Sequence, residues 1–218
     1  MPNSLLPIIA IEVTSNQASI AWANEDTQDT ISFSNSRHIE TQLANHIKTA
    51  LEALQQAPSI ILMGLGPGSY SSCRAAIASA ICLGLWHECP VIGLPSTVAT
   101  QANDTPESIL IGNARRGQYF SWAMNQGAFE QEPQFYTEQE LSSFLQTYQK
   151  PIYSFDSTHG FLSSQTEKIS HITPQAQQLI NYWQQLEPSQ QAYFTEQAQH
   201  NALEPVYLRS AQITPAKK

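Results

Sequence analysis

Basic side chains are scarce in this chain: 10 Lys and Arg stand against 18 Asp and Glu over 218 residues, a formal charge of −8. Residues 1–109 hold three of the basic and nine of the acidic side chains. A front half of that sign repels a phosphate backbone, so no direct nucleic-acid binding is expected of the chain alone, whereas a basic protein partner is favoured. Cysteine is equally sparse. Cys73, Cys82 and Cys89 are odd in number and lack CxxC spacing, which points to a reduced, cytoplasmic protein without a structural zinc site. No apolar run approaches membrane-spanning length, and no basic segment leads into a long apolar one, so no membrane association is expected. The histidines, at 38, 46, 87, 159, 171 and 200, form neither an HxxxH nor an HExxH pair. There is no G-x-S-x-G elbow and no serine at recognisable spacing from a histidine. No catalytic residue and no metal ligand is assigned.

What is present is a regular alternation of apolar segments. Leu5 to Val13 reads as a buried strand, Thr14-Ser15-Asn16 as a hairpin turn, and 17–23 and 29–34 as further strands. Ile39, Leu43, Ile47, Ala50, Leu51 and Leu54 recur at helical spacing. Strand 59–65, helix 71–87, strand 91–94 and a short helix after Pro95 follow. Gln101 to Glu107 is a polar connector. Beyond it come strand 108–114, a turn at Arg115-Arg116-Gly117, strand 118–124, a helix at 137–148, a strand at 151–155 and a helix around 174–186, which together fill a second lobe. No internal repeat stands out. The expected class is α/β, with a mixed sheet flanked by helices.

The most informative segment is Gly64-Leu65-Gly66-Pro67-Gly68-Ser69-Tyr70, set between the apolar strand Ile60–Met63 and an alanine-rich helix. Gly66 and Gly68 permit positive φ, and Ser69 or Ser71 can cap the helix. Two readings stay open. The glycines make a tight turn between strand and helix, or the free N–H groups at the helix start receive an anion or a partner's acidic group. The loop is not a Walker A sequence, since no Lys-Ser/Thr pair closes it. Glu12, at the end of a buried strand beside Thr14 and Ser15, has two readings as well: an acid that holds Mg²⁺-bound water and phosphate, or a carboxylate bonded to nearby amides in a capped hairpin. Glu12, Thr14, Ser15, Gly66, Gly68 and Ser69 are the nucleotide or phosphate-loop candidates.

On helix 71–87, Ser72, Ala76, Ala80 and Gly84 recur every four residues, with Ala75 and Ser79 alongside. Small side chains admit close approach of another helix, either helix 39–55 of the same chain or a partner's. Ile77, Ile81 and Leu85 are expected to face the sheet.

These segments together resemble the TsaB (YeaZ) family. Ala10-Ile11-Glu12-Val13-Thr14-Ser15 with Ala18-Ser19-Ile20-Ala21 is similar to the family's A-I-D-T-S…S-V-A, and Arg37-His38-Ile39-Glu40 to R-x-H-S-E. Gly66-Pro67-Gly68-Ser69-Tyr70-Ser71-Ser72-Cys73-Arg74 resembles G-P-G-S-F-T-G-L-R, and Pro90-Val91-Ile92-Gly93-Leu94-Pro95-Ser96 resembles P-x-x-G-V-S-S. Asn113-Ala114-Arg115-Arg116-Gly117-Gln118-Tyr119 is similar to D-A-R-R-G-E-V-Y, and Pro205-Val206-Tyr207-Leu208-Arg209 to P-x-Y-L-R. The motifs follow the family's order over almost the whole chain. This sequence departs from them at Ser72 and Cys73, which stand for Gly and Leu, at Ala76 for Gly, and at Asn113 for Asp.

The resemblance implies an actin-like ATPase fold of two lobes, each a mixed sheet flanked by helices. An N-terminal lobe spans 1–103 and carries partner-binding helices; a smaller C-terminal lobe spans 104–218, with a last segment able to pack back on the first. It implies a non-catalytic subunit for threonylcarbamoyladenosine synthesis at position 37 of tRNA, pairing with TsaD, recruiting TsaE, and forming a homodimer in isolation. The interface is expected at Ser72, Ala75, Ala76, Ser79, Ala80, Leu43 and Ile47, with Arg115-Arg116-Gly117 as a turn motif. No cofactor is expected beyond weak ATP or ADP binding. TsaD carries a metal-binding HxxxH after the strand that corresponds to 91–94, where this chain has Ser96-Thr97-Val98-Ala99-Thr100. The alternative is an active ATPase or glycoprotease-type hydrolase that uses Glu12 and the Gly66–Gly68 loop.

Overall fold

The computed structural model describes residues 7–35, 38–156, 166–200 and 202–208; Leu5, Arg37, His159 and Arg209 of the expectations above lie outside them. Strand β1 (Ile8–Glu12) is buried along its whole length, its apolar run Ile8–Ile11 ending in the buried acid Glu12. It pairs antiparallel with β2 (Gln17–Ala23), and β2 pairs antiparallel with the exposed edge strand β3 (Gln28–Ser34). Helix α1 (Ile39–Leu54) then returns the chain to β4 (Ile60–Gly64), parallel to β1, and α2 (Tyr70–His87) leads to β5 (Val91–Leu94), parallel to β4. The sheet order is β3-β2-β1-β4-β5.

Two short 3₁₀ turns, Ser96–Ala99 and Gln101–Asp104, carry the chain to the second lobe. There β6 (Ser108–Arg115) and β7 (Gln118–Asn125) form an antiparallel hairpin, extended by β8 (Ala128–Phe129) and β9 (Gln134–Tyr136). Helix α3 (Glu138–Thr147) begins with a capping box: Thr137 accepts from the Glu140 N–H while Glu140 reaches back to the Thr137 N–H. Parallel strands β10 (Ile152–Ser154) and β11 (Ile169–His171) complete the sheet on the far side of β6. Each lobe thus runs antiparallel meander, helix, then parallel strands on the other side of its first strand. The duplication is one of topology without a matching repeat in sequence, and it is the actin-like two-lobe α/β class that the resemblance implied.

Both faces of the first sheet are covered. Ile9, Ile11, Ile61 and Met63 meet α1 and α2 on one face; Ile8, Ala10, Ile60 and Leu62 meet Ala176, Leu179, Ile180 and Trp183 of α4 (Ala176–Gln185) on the other. The helix expected to fill the second lobe therefore belongs to the core of the first. The reason is visible in β1 and β4: strands apolar on both faces require a helical layer on each side. A last helix, α5 (Pro188–His200), has no fully buried residue and rests Phe194 and Ala198 against this layer.

The interface expectation on α2 is also corrected. Ala76 and Ala80 are fully buried, Ser72 is buried, and a Cβ on Gly84 would lie 2.6 Å from Val91 Cγ2. Leu43 and Ile47 of α1 lie in the same core. Ala75 and Ser79 are half-buried beside them, with the Ser79 hydroxyl donating to the Ala75 carbonyl. The small stripe lets α2 lie close to its own sheet and to α1. The bulky residues expected on the sheet, Ile81 and Leu85, instead face outward with Trp86, at 39%, 75% and 82% exposure. Ala76→Arg should consequently bury an unpaired charge and cost the isolated chain more than about 3 kcal/mol, read as a lost or sharply lowered unfolding midpoint in circular dichroism. A variant with the wild-type midpoint would contradict this packing.

Candidate functional site

The ends of β1, β4, β6 and β10 converge on a cleft of about 420 Å³ between the lobes. Its first-lobe wall is the hairpin turn Thr14-Ser15-Asn16 and the loop from Pro67 to Ser71; its second-lobe wall includes Ile111, Asn113, Arg115, Phe155 and Asp156.

The glycine loop is fastened on both sides. Gly66 has φ +106°, its N–H donates to Ser96 Oγ at 3.0 Å, and its carbonyl accepts from the Ser96 N–H at 2.9 Å. The Ser69 N–H donates to the Thr14 carbonyl at 3.1 Å. A Cβ on Gly68 would lie 2.2 Å from that same carbonyl oxygen, so only glycine allows the loop to sit on the hairpin. Ser69 is the N-cap of α2 but its side chain makes no cap bond: its hydroxyl lies 2.8 Å from Ser72 Oγ, which donates to Asn35 Oδ1 at 2.7 Å. Asn35 in turn donates to the carbonyls of Val13 and Ser15. Loop, hairpin and the end of β3 thus form one hydrogen-bonded unit.

Glu12 lies beneath this unit and is absent from the cleft wall. It is fully buried; its Oε1 accepts from the Thr14 N–H at 2.8 Å and the Thr14 hydroxyl at 2.5 Å. Its Oε2 has no partner of hydrogen-bond geometry among the described residues. Burial raises the Glu12 pKa above the ordinary value, against smaller lowering contributions from the Thr14 and Ser96 hydroxyls. Burial, and then the Glu12 carboxylate, push the nearby Cys73 thiol up to about 12, so this cysteine is an inert core group. The capped-hairpin reading of Glu12 matches the geometry. Thr14, Ser15, Gly68 and Ser69 do reach the cleft, whereas Gly66 is not among the lining residues.

On the opposite wall, Arg115, Arg116 and Gly117 all take positive φ, at 67°, 56° and 72°. Asn113 accepts the Arg115 N–H through Oδ1 at 2.7 Å, so the amide that stands in place of aspartate shapes the turn. The carboxylate on this wall is Asp156, whose Oδ2 accepts the Asn113 N–H at 2.7 Å and whose carbonyl meets His171 Nδ1 at 2.7 Å. Asp156 escaped the sequence reading, although an acid directly after the apolar segment 151–155 was a usable signal. The described cleft wall carries hydroxyls, amides, Arg115 and Asp156 but no histidine or cysteine. Among the described residues, no three His, Cys, Asp or Glu side chains cluster as a metal site, and no helix is long and apolar enough to cross a membrane. Such a cleft can bind a polar ligand; Glu12 is not placed to take part.

Two lobes built on one topology, closing on a shared cleft, define the fold class as actin-like. Within it, the chain has the fold of YeaZ. It superposes on YeaZ from Pseudomonas aeruginosa with a TM-score of 0.63, at 15% identity, over 93% of this chain and 100% of that one. An uncharacterized protein with similarity to peptidase YeaZ, from the same organism, superposes with a TM-score of 0.66, at 15% identity, over 94% and 100%. No protein-family profile and no curated protein matches the chain.

Two outcomes are expected at this site. Gly68→Val should lower stability by roughly 1–3 kcal/mol through the clash with Thr14, and an unchanged thermal midpoint would refute the close approach. Because the folded-state pKa of Glu12 is raised, its protonated form favours folding at acid pH, and that contribution is lost as pH rises through the folded value. Glu12→Gln keeps an acceptor for Thr14 and cannot ionise, so it should raise the midpoint more at about pH 8 than at about pH 5. Equal effects at both pH values would mean the carboxyl is not desolvated.

Proposed function

We propose that this protein is a TsaB (YeaZ) family member acting as a non-catalytic subunit in threonylcarbamoyladenosine synthesis at position 37 of tRNA. On this reading it is cytoplasmic, pairs with TsaD, helps recruit TsaE, self-associates when alone and needs no cofactor of its own. The supporting observation is the state of the glycine loop. Its Gly66 and Ser69 N–H groups are spent on Ser96 and Thr14, and Glu12 is sealed under it, so the loop serves rigidity. The YeaZ fold over nearly the whole chain and the motif order given above agree with the reading. The alternative, a hydrolase, would require Glu12 to reach the cleft, whereas its carboxyl is fully buried and absent from the cleft wall.

The pairing surface fits the outer face of α2, where Ile81, Leu85 and Trp86 present large apolar groups to solvent next to Cys82. An aromatic anchor of this kind dominates the energy of many interfaces. Co-purification with TsaD of the same source tests the proposal. Wild-type protein should bring TsaD down, and Trp86→Glu should weaken the complex by about 2 kcal/mol or more while leaving the circular dichroism midpoint unchanged. Failure of the wild type to pair would overturn the function; full pairing by Trp86→Glu would overturn only the surface.

A further inference from the structure

The last described segment runs from one lobe to the other. Leu203 packs into the first-lobe core, where its Cδ1 would lie 2.6 Å from a Cβ on Gly93. The Val206 N–H donates to the Leu65 carbonyl at 2.8 Å, just past the end of β4. The side chains of Val206 and Leu208 belong instead to the second-lobe core, with Leu110, Phe120 and Tyr153. Leu208 also lines the cleft. Within six residues, then, the backbone is tied to the first lobe and the side chains are seated in both.

Between those anchors lies an aromatic contact. The ring of Tyr207 rests on that of Tyr70, with centroids 5.6 Å apart and planes at 44°. Arg74, one turn along α2, sits over the Tyr70 ring at 5.4 Å and donates to its hydroxyl at 3.3 Å. Two motifs far apart in the sequence, the glycine loop and Pro205-Val206-Tyr207-Leu208, therefore meet at the cleft. Tyr70 is 54% exposed and Tyr207 44% exposed, so separating the rings uncovers little new surface. The lobes are also joined at two other crossings: between 95 and 107, where the Thr97 hydroxyl donates to the Gly127 carbonyl and the Gln126 N–H to the Thr105 carbonyl, and between β11 and α4, where the Gln175 N–H donates to the Ala99 carbonyl at 3.3 Å.

We propose that residues 202–208 form a latch across the interlobe cleft, closed by the Tyr70–Tyr207 contact, and that losing this contact frees the lobes to part about the two remaining crossings, at 95–107 and 172–175. Tyr70 is the first residue of α2 and is flanked by Ser69 and Ser71 of the cleft wall. Movement at the start of α2 and access to the cleft are thereby coupled. The latch stands on this geometry alone and does not depend on the TsaB reading.

Hydrogen–deuterium exchange on the full-length chain tests it, comparing wild type, Tyr207→Ala and Tyr207→Phe. In Tyr207→Ala, exchange should quicken roughly two- to tenfold, the size expected for one lost aromatic pair, in 67–71 and 110–115 on the two cleft walls as well as in 202–208. Strands β1 and β4 should keep wild-type protection, and Tyr207→Phe, which retains the ring, should behave as wild type. Faster exchange confined to 202–208 would overturn the latch, since the segment would then be a passive tail. Faster exchange throughout, β1 and β4 included, would also overturn it, by making the segment part of the folding core.

Discussion

The docking of Gly68 onto the carbonyl of Thr14 is the contact on which the site depends. It brings the start of α2 against the β1–β2 hairpin, and the Ser69 N–H then completes the approach. From that contact follow the burial of Glu12, the engagement of Asn35 and the shape of the first-lobe cleft wall. Backbone–backbone proximity of this kind leaves no room for a side chain, so a single atom's volume decides whether the wall exists. The same closeness spends the Ser69 N–H, a donor that a phosphate-binding loop would hold open.

A second constraint acts on α2 from the sheet side. Ala76, Ala80 and Gly84 let the helix descend onto β1 and β4, and this rotation turns Ile81, Leu85 and Trp86 to solvent. The inner face gains close contact; the outer face carries the apolar surface. Both properties arise from one choice of small residues at four-residue spacing.

Much of the architecture was readable from residue order. Apolar runs at 8–11 and 60–63 forecast buried strands, and the α1 periodicity forecast its inner stripe. The errors share a cause. Periodicity shows that a stripe is buried but not against what: it places α4 in the wrong lobe and leaves the small stripe of α2 open between helix 39–55 and a partner, and the family resemblance, not the spacing, assigns that stripe to a partner. Strands β8, β9 and β11 are two or three residues long, too short for an alternating pattern to register. At the site, Thr14, Ser15, Gly68 and Ser69 share one cleft wall, while Glu12 and Gly66 lie off it. The inward turn of Glu12 and the entry of Asp156 depend on tertiary packing that local spacing does not encode.

The seating of α4 on the first sheet has a consequence for how the chain is made. Ile8, Ala10, Ile60 and Leu62 precede their cover, residues 176–183, by more than 100 residues. During vectorial synthesis one face of the first sheet stays uncovered until the second lobe has left the ribosome. The first lobe consequently lacks part of its core until α4 arrives, and a nascent chain halted before that point presents a broad sticky face to chaperones and to its neighbours.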